Sequence, residues 1–332
     1  MTISQPFLSA IWTLFQLGTL LVCLASLAGF FGRTAWFLDL FSHFRFQYLV
    51  LLLIATIILF TGGYYLQAIA SGFFAILNLL LVIPICLKET PTHQSVFANP
   101  KQDSYRILLA NVLQKNPAFG AVRHLIRTAN PDFLVLIEVN KTWIDQLQPV
   151  LKELPFSRMK LREDNYGIAI FSRIPAILSE VKYFSSAQVP SIIATFTLHQ
   201  RPVTLLATHP PPPKTRQTSA SRNEQLAEIA ETLRQLEGEK FLVGDLNLTS
   251  WSPYFSDLTR VSGLRDSRKG FGLQNSWRAF RQWLVIPIDH ILVSAGVGVL
   301  ARRVGPFIGS DHYPILLDFN LNPQKHVPLK TG

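Results

Sequence analysis

The chain has 332 residues, of which 48% are hydrophobic, and it carries a formal net charge of +10 at pH 7. This length allows more than one folded unit. Both cysteines, Cys23 and Cys86, lie within residues 1–87, which excludes a disulfide framework or a thiolate metal site from the rest of the chain. The basic balance favours anionic partners such as phosphate esters, nucleic acid or acidic lipid headgroups, and it also aids solubility and attraction to a membrane surface.

The first part of the chain is apolar, and only Arg33, Asp39 and Arg45 carry a formal charge within residues 1–87. Residues 8–30 form one apolar run that is long enough to cross a hydrocarbon core of about 30 Å. A single helix over the uncharged residues 46–87 would measure about 60 Å, twice the membrane thickness, so this run must fold back on itself. A turn at Gly62 and Gly63 divides it. The sequence therefore predicts a transmembrane region over residues 1–88, with spans at 8–30, 47–62 and 67–87.

The basic residues near the spans indicate how the protein is oriented in the membrane. Arg33 and Arg45 lie between the first two spans, Lys88 and Lys101 follow the third, and the N-terminal tail and the second loop have none. The positive-inside rule applied to these four charges favours a cytoplasmic location for the remaining chain. We interpret the protein as an integral protein of the cell membrane and leave the side open. Residues 89–103 are polar and aperiodic, which predicts a linker.

The remaining two-thirds alternates between strand and helix patterns. Short apolar runs rich in branched residues predict strands at 106–110, 133–139, 167–172, 192–198, 203–208, 240–244, 288–293 and 314–319. Apolar residues at three-to-four spacing predict helices at 119–128, 141–154 and 219–236. This order of elements predicts an α/β layered sandwich.

Polar residues follow or precede several of these strands directly. Taken singly, an Asp, Asn or His at a strand end is more often a cap or a turn residue. Taken together, they form an oxygen-rich set without cysteine, of the kind that binds Mg²⁺ or Mn²⁺. The set comprises Asn111, Glu138, His209, Asp245, Asn247, Asp289, Asp311 and His312.

The order of these residues resembles the endonuclease/exonuclease/phosphatase superfamily. The resemblance rests on Asn111, Glu138, Gly-Asp-Leu-Asn at 244–247, Asp289 and Ser-Asp-His at 310–312, and it covers about residues 104–320. It implies a four-layer α/β sandwich of two packed mixed β-sheets flanked by helices, here preceded by about three transmembrane helices. The predicted catalytic domain is then 104–320, with a C-terminal tail at 321–332.

The resemblance also implies a metal site. Glu138, with Asn111 nearby, corresponds to the main Mg²⁺ (or Mn²⁺) position, and Asp311 is a further acidic residue near the metal. A phosphodiester is anionic and resists attack, so a bound cation would offset its charge and polarise it.

Five other residues correspond to the catalytic groups of the superfamily. Asp245 and Asn247 correspond to groups that orient the attacking water and the phosphate. His312 corresponds to a base or a phosphate-contacting imidazole, steered by Asp289. His209 corresponds to a donor of a proton to the leaving oxygen, and it favours the deoxyribonuclease, sphingomyelinase and phosphatase branches over the AP endonucleases.

A basic and aromatic stretch lies between the two late motifs, over residues 260–281. Mixed basic and aromatic residues suit a phosphate-rich or stacked substrate, and we take Arg265, Arg268 and Lys269 as candidates for substrate binding. A solvated loop whose aromatic side chains return to the core is an equally good interpretation.

The sequence thus predicts a membrane-anchored, metal-dependent hydrolase of phosphate esters, either a phosphodiesterase or a phosphatase with a nuclease-like site. Nucleic acid and a phospholipid headgroup both remain open as substrates, the lipid bilayer is the second partner, and no protein partner can be inferred. The alternative is a membrane-tethered binding protein with an inactive phosphoesterase fold. The completeness of the acidic and histidine set speaks against this alternative.

Overall fold

The structure is a computed structural model, and it describes residues 5–87, 104–279 and 284–322. The predicted linker at 89–103 and most of the predicted tail at 321–332 lie outside these residues. The helices are α1 Gln5–Ala28, α2 Trp36–Leu40, α3 Arg45–Thr61, α4 Tyr65–Cys86, α5 Phe119–Ala129, α6 Lys141–Leu151, α7 Arg216–Gln235 and α8 Pro253–Ser262. The strands are β1 Tyr105–Asn111, β2 Phe133–Ile137, β3 Phe156–Lys160, β4 Ile168–Ser172, β5 Ala176–Tyr183, β6 Pro190–Leu198, β7 Arg201–Thr208, β8 Glu239–Asp245, β9 Arg265–Asp266, β10 Trp277–Ala279, β11 Leu284–Ile286, β12 Asp289–Val293, β13 Val297–Val304 and β14 Ile315–Leu321.

Within the described residues, three helical segments are long and apolar enough to cross a membrane: Gln5–Phe31, Trp36–Thr61 and Tyr65–Cys86. The turn between α3 and α4 uses Gly63 at a φ of 81°, in the left-handed region where a side chain is disfavoured. At the same end of the bundle the ring of Trp12 lies 5.1 Å from that of Tyr64. The start of α1 therefore lies beside the turn between α3 and α4. The three helices run up, down and up, so α1 and α4 both end at the opposite end of the bundle, where α3 begins.

A short segment joins α1 to α3 at that end, and we call residues 29–44 the connecting segment. It contains α2 between two short 3-10 turns. Its aromatic side chains Phe30, Phe31, Phe37 and Phe41 are exposed, whereas Asp39 is buried. The segment thus presents apolar rings outward and a carboxylate inward.

Two six-stranded mixed sheets make up the remainder, in the orders β13-β14-β1-β2-β4-β3 and β5-β6-β7-β8-β12-β9 of the described strands. The β1–β2 and β7–β8 pairs are parallel and the other pairs in these sheets are antiparallel. The hairpin of β10 and β11 lies apart from both sheets. This arrangement confirms the predicted class of two packed mixed sheets flanked by helices.

The main core lies between the sheets, where side chains such as Leu109, Val135, Leu205 and Val243 are fully or almost fully buried. Burial of each such side chain contributes about 1.5–3 kcal/mol. Helices α5 and α6 pack on the outer face of the first sheet, and α7 and α8 pack on the second. The result is a four-layer sandwich.

Elements that the sequence did not predict are mostly at the edges. Strands β3, β5, β9 and β13 are the outermost strands of the two sheets. Edge strands such as β3 and β5 expose much of their length and carry polar residues there, so they lack a long apolar run. Helix α7 begins at Arg216, earlier than the apolar pattern predicts, because Thr215 caps it by accepting from the backbone of Thr218.

Candidate active site

The predicted polar residues meet at one edge of the sandwich. Asn111 and Asp245 are the last residues of β1 and β8, and Glu138 and His209 directly follow β2 and β7. Asp289 begins β12, which is antiparallel to β8, so the register places Asp289 opposite Asp245. The carboxyl ends of the parallel pairs β1–β2 and β7–β8, and the amino end of the antiparallel strand β12, therefore lie at the same edge. The side chains meet there.

Gly244 allows the close approach of β7 and β8 at this edge. A Cβ at this position would overlap the carbonyl oxygen of Thr208, its register partner. Only glycine avoids this overlap, so the Gly-Asp pair places Asp245 beside His209. The distance from His209 Nε2 to Asp245 Oδ2 is 3.5 Å.

Glu138 is held by Asn111. The Asn111 side-chain amide donates to Glu138 Oε1 at 3.0 Å and lies 3.4 Å from Asp245 Oδ2, while its oxygen accepts from the Leu113 backbone at 3.1 Å. Asn111 therefore presents its nitrogen to the carboxylates and positions them. Glu138 has a φ of 62°, a left-handed conformation that costs about 1–3 kcal/mol for a residue with a side chain.

His312 and Asp289 form a buried hydrogen-bonded pair, with 2.8 Å between Nδ1 and Oδ2. Burial opposes the charged form of His312, but the negative charges of Asp289 and Asp245 outweigh it and raise the pKa of His312 to about 10. His312 Nε2 points towards Asp245, whose Oδ2 is 3.5 Å away. The raised pKa favours the imidazolium form of His312, which can contact an anionic group.

His209 has the opposite protonation state. Its burial, together with the positive charge of His312, lowers the pKa of His209 to about 4. The ring of Tyr166 lies 5.5 Å from the His209 ring. The site thus contains one protonated and one neutral imidazole, which suits two different roles.

Asn247 is fixed by the backbone around it. Its side-chain amide donates to the Pro210 carbonyl at 2.9 Å, and its own N–H donates to Asp245 Oδ1 at 2.9 Å. The Asn247 carbonyl accepts from Arg222 at 3.0 Å. Asn247 has a φ of 52°, a left-handed conformation that Asn tolerates better than most residues.

Three carboxylate oxygens in the site are suited to a cation. Glu138 Oε2, Asp289 Oδ1 and Asp311 Oδ1 are buried and have no hydrogen-bond partner among the described residues. The other oxygen of Asp311 accepts from Trp277 Nε1 at 3.1 Å. The pKa of Glu138 is raised, first by burial and also by the negative charge of Asp311. Buried carboxylates that repel each other and have unpaired oxygens fit a divalent cation, which prefers oxygen ligands.

A second group of candidate ligands lies beside the first. One ligand atom from each of Asp245, Asp289 and His312 falls within 4.8 Å of the others. The hydrogen bond between His312 Nδ1 and Asp289 Oδ2 already occupies the atoms of this pair that face each other. Asp289 thus orients His312 through one oxygen, while Glu138 and Asp311 each offer an unpaired oxygen that no imidazole occupies.

Two of the three basic residues predicted to bind substrate, Arg265 and Arg268, make contacts away from this edge. Arg268 is fully buried, and its guanidinium donates to Asp266 at 3.1 Å and to Ser250 Oγ at 2.6 Å, which argues against a role in substrate binding. Arg265 pairs with Val293, at the opposite end of β12 from Asp289. Lys269 is exposed and precedes Gly270, whose N–H donates to the Ile85 carbonyl of α4. Within the same stretch, Arg268 returns to the core, whereas the Arg278 N–H donates to the Asp311 carbonyl at the site.

Several residues of the site were not predicted. Ser276 Oγ accepts from the Asp289 backbone at 3.0 Å, and Ser310 Oγ accepts from the His312 backbone at 3.1 Å. Trp277 contacts the site through its bond to Asp311. The sequence could have indicated Trp277 as a site residue, because it lies in the basic and aromatic stretch. An isolated Ser such as Ser276 has no sequence feature that indicates a role in the site.

Comparison with known proteins extends these observations. The sequence model of the Endonuclease/Exonuclease/phosphatase family matches residues 108–312, more than half of the chain. Comparison with curated proteins finds no match.

Solved structures share the fold. A humanized D. rerio TDP2 with 14 mutations has a TM-score of 0.56 and 19% identity, covering 65% of this chain and 99% of that one. An endonuclease/exonuclease/phosphatase from Bacteroides vulgatus has a TM-score of 0.56 and 17% identity, covering 66% and 99%. TDP2 from Caenorhabditis elegans has a TM-score of 0.56 and 19% identity, covering 83% and 92%. The family match and the common fold together show that the chain belongs to the endonuclease/exonuclease/phosphatase family.

Proposed function

We propose that this protein is a membrane-anchored hydrolase that cleaves phosphate esters with the help of Mg²⁺ or Mn²⁺. The observation that carries the proposal is the pair of unpaired, buried carboxylate oxygens on Glu138 and Asp311 at the same edge as His209 and His312. Family membership supports phosphoester hydrolysis as the reaction class.

The division of roles follows from the charges. A bound cation would offset the charge of the phosphate and polarise it. The protonated His312, held by Asp289, contacts a phosphate oxygen. Asp245 and Asn247 orient the attacking water. His209 becomes protonated when an anionic substrate lies beside it, because a negative charge raises the pKa of an imidazole, and it then donates to the leaving oxygen.

The membrane anchor is proposed from α1, α3 and α4, which have few charges and outward-facing apolar side chains. Leu14, Ile57 and Leu66 are among the exposed residues, and in water such a surface would aggregate. A bilayer is the environment that covers it. The charges of Arg33, Arg45, Lys88 and Lys101 favour the cytoplasmic side for the hydrolase domain, and we leave the side as a proposal.

Two substrate classes are compatible with this site. One D. rerio TDP2 structure is a complex with a single strand DNA product, and a nucleic acid is accordingly one class. A phospholipid headgroup is the other. A membrane-tethered binding protein with an inactive site is the competing function, and the complete set of carboxylates and imidazoles at one edge argues against it.

The test uses the purified full-length protein in detergent with bis(p-nitrophenyl) phosphate. We expect Mg²⁺ or Mn²⁺ to support hydrolysis and EDTA to abolish it, because the ligand set contains only oxygen donors. Glu138→Gln keeps the size of the side chain and removes its charge, so it should lower kcat by at least about 100-fold. The control is Asp145→Asn, on the exposed face of α6, with unchanged rates. Hydrolysis at full rate in excess chelator would contradict the proposal.

A further inference from the structure

All described hydrogen bonds between the helical region, residues 5–87, and the hydrolase domain reach residues 222–285. Trp251 Nε1 donates to the Leu81 carbonyl at 3.0 Å, and Gln47 donates to the Val285 carbonyl at 2.8 Å. Leu81 lies about 7 Å inside the end of α4 at Cys86, given a rise of 1.5 Å per residue. Part of the domain therefore reaches the level of the last turns of the apolar helices.

The active site is next to these contacts. Asp245 precedes Trp251 by six residues in the sequence, which limits their separation to about 20 Å even in an extended chain. A shorter connection runs through Arg222, which donates to the Asn247 carbonyl at 3.0 Å and to Asp39 Oδ2 at 2.7 Å. Since one planar guanidinium makes both bonds, the Asn247 carbonyl lies within about 8 Å of the Asp39 carboxylate.

Asp39 marks the level of the membrane surface. It belongs to the connecting segment, whose exposed apolar rings Phe30, Phe37 and Phe41 suit an element that lies in the membrane interface. A headgroup layer is about 5–8 Å thick on each side of a bilayer. The catalytic edge therefore lies at or just above the headgroup layer.

The hairpin of β10 and β11 connects the two regions. Trp277 on β10 donates to Asp311 of the site, and Val285 on β11 accepts from Gln47 of α3. On the hairpin itself, the Arg278 guanidinium lies 4.3 Å from the ring centroid of Phe307, which is 55% exposed. An arginine and an exposed aromatic ring at the rim of the site match the chemistry of a lipid interface.

The opposite end of the sandwich has no such contacts with the helical region among the described residues. There Arg201 pairs with Glu239, and Arg106 pairs with Asp318 at 2.5 Å, within the domain itself. The site is thus at the end of the domain that faces the membrane.

We propose that the substrate is a phosphate ester carried by a lipid in the membrane to which the protein is anchored. This inference rests on the proposed function and adds the substrate class. A lipid phosphate already lies at the level of the site. A nucleic acid would have to approach a surface that carries anionic lipids and would be repelled by it.

The first test measures the position of the site and needs no activity. Single cysteines at Phe307 and Ile177, both exposed, are introduced with Cys23→Ala and Cys86→Ser and labelled with bimane. Ile177 lies on the edge strand β5 near the opposite end. In phosphatidylcholine vesicles with a headgroup spin label, we expect at least about twofold stronger quenching at Phe307→Cys than at Ile177→Cys, since collisional quenching needs close contact. Equal quenching would overturn the proposal.

The second test measures hydrolysis in vesicles of phosphatidylcholine, phosphatidylethanolamine, phosphatidylglycerol and phosphatidic acid, followed by ³¹P NMR. We expect at least one lipid signal to be lost in the wild type and to persist in Glu138→Gln. The same preparation is assayed with bis(p-nitrophenyl) phosphate and with single-stranded DNA. Hydrolysis of the nitrophenyl ester or DNA with all four lipid signals unchanged would overturn the lipid substrate and leave the proposed function intact. Absence of all hydrolysis would overturn the proposed function.

Discussion

Asp39 and Arg222 form a buried ion pair, with 2.7 Å between Asp39 Oδ2 and an Arg222 nitrogen and with side chains that are 1% and 0% exposed. Asp39 lies in the connecting segment and Arg222 in α7, and Ser252 Oγ donates to the second oxygen of Asp39 at 2.8 Å. Burial lowers the pKa of Arg222, and the charge of Asp39 opposes this effect. Because Arg222 also bonds the Asn247 carbonyl, the pair links the helical region to the active site.

Asp39→Asn should impair catalysis through this link. It leaves a buried guanidinium without its counter-charge, a change that costs about 3–5 kcal/mol. We expect kcat for bis(p-nitrophenyl) phosphate to fall about tenfold or more with little change in KM, because Asn247 loses its support. Asp39→Glu should restore part of the rate.

The matched control is Asp257→Asn. Asp257 pairs with Arg33 across the same interface, but both side chains are substantially exposed, at 33% and 57%. An exposed pair contributes about 0–1 kcal/mol, so this variant should resemble the wild type. A wild-type kcat in Asp39→Asn would show that the buried pair has no part in positioning Asn247.

The two histidines should differ in their dependence on the leaving group. His209→Ala and His312→Ala should each lose about 10²–10⁴-fold in rate if they act in proton transfer or phosphate contact. The defect of His209→Ala should shrink for nitrophenyl esters, because nitrophenolate leaves without a proton. The defect of His312→Ala should be similar for all esters. Comparison of nitrophenyl and alkyl esters measures this difference, and equal defects in both variants would refute the assignment of His209.

Asp289→Asn should shift the alkaline side of the pH–rate profile. Asp289 helps to raise the pKa of His312 to about 10 against the effect of burial. The active form is protonated, so activity is lost as the pH rises through that pKa. Removal of the carboxylate charge lowers the pKa, and the loss should then begin at lower pH. The measurement is kcat/KM from pH 6 to 10, and an unchanged alkaline limb would contradict the role of Asp289.

The helical region should keep the full-length protein in the membrane. Three helices that bury apolar side chains in lipid resist extraction by conditions that disrupt only ionic contacts. We expect carbonate and high salt to leave the protein in the membrane pellet, and detergent to release it. Reporter fusions after Pro100 then decide the side of the hydrolase domain. Release of the full-length protein by carbonate would exclude an integral anchor.

Asp266 should contribute to stability in a defined pH window. Burial by itself raises the pKa of Asp266, but the charges of Arg268, His290 and Arg302 lower it from 3.8 to about 2. A lowered pKa stabilises the folded state above pH 3.8, and this contribution is lost as the pH falls from 3.8 towards 2. Its size is about 2 kcal/mol. Thermal unfolding in detergent should therefore show Asp266→Asn to be less stable than the wild type at pH 7, with a smaller difference near pH 2. A difference that is constant with pH would contradict this.

The sequence by itself determined the inner strands of both sheets, most of the longer helices and the composition of the site. Branched apolar runs predicted the inner strands, and the position of Asn111, Glu138 and Asp245 at strand ends followed directly from those runs. Parallel pairing of β1 with β2 brings Asn111 and Glu138 to the same edge, whereas Asp245 on β8 joins them because the two sheets pack face to face. Edge strands such as β3 and β5 were not predicted because their exposed side chains interrupt the apolar pattern.

Only the tertiary structure decided how the two parts of the chain meet. Asp39 and Arg222 are separated by 183 positions in the sequence, and no local periodicity relates them. Arg268 belonged to a basic stretch that suited a substrate, yet the fold buries it against Asp266. The unpaired oxygens of Glu138 and Asp311, and the opposite protonation of His209 and His312, depend on burial and on charges supplied by several elements. Burial and electrostatic coupling are properties of the packed structure, so the sequence predicted which residues form the site but not their charge states or their contacts with the helical region.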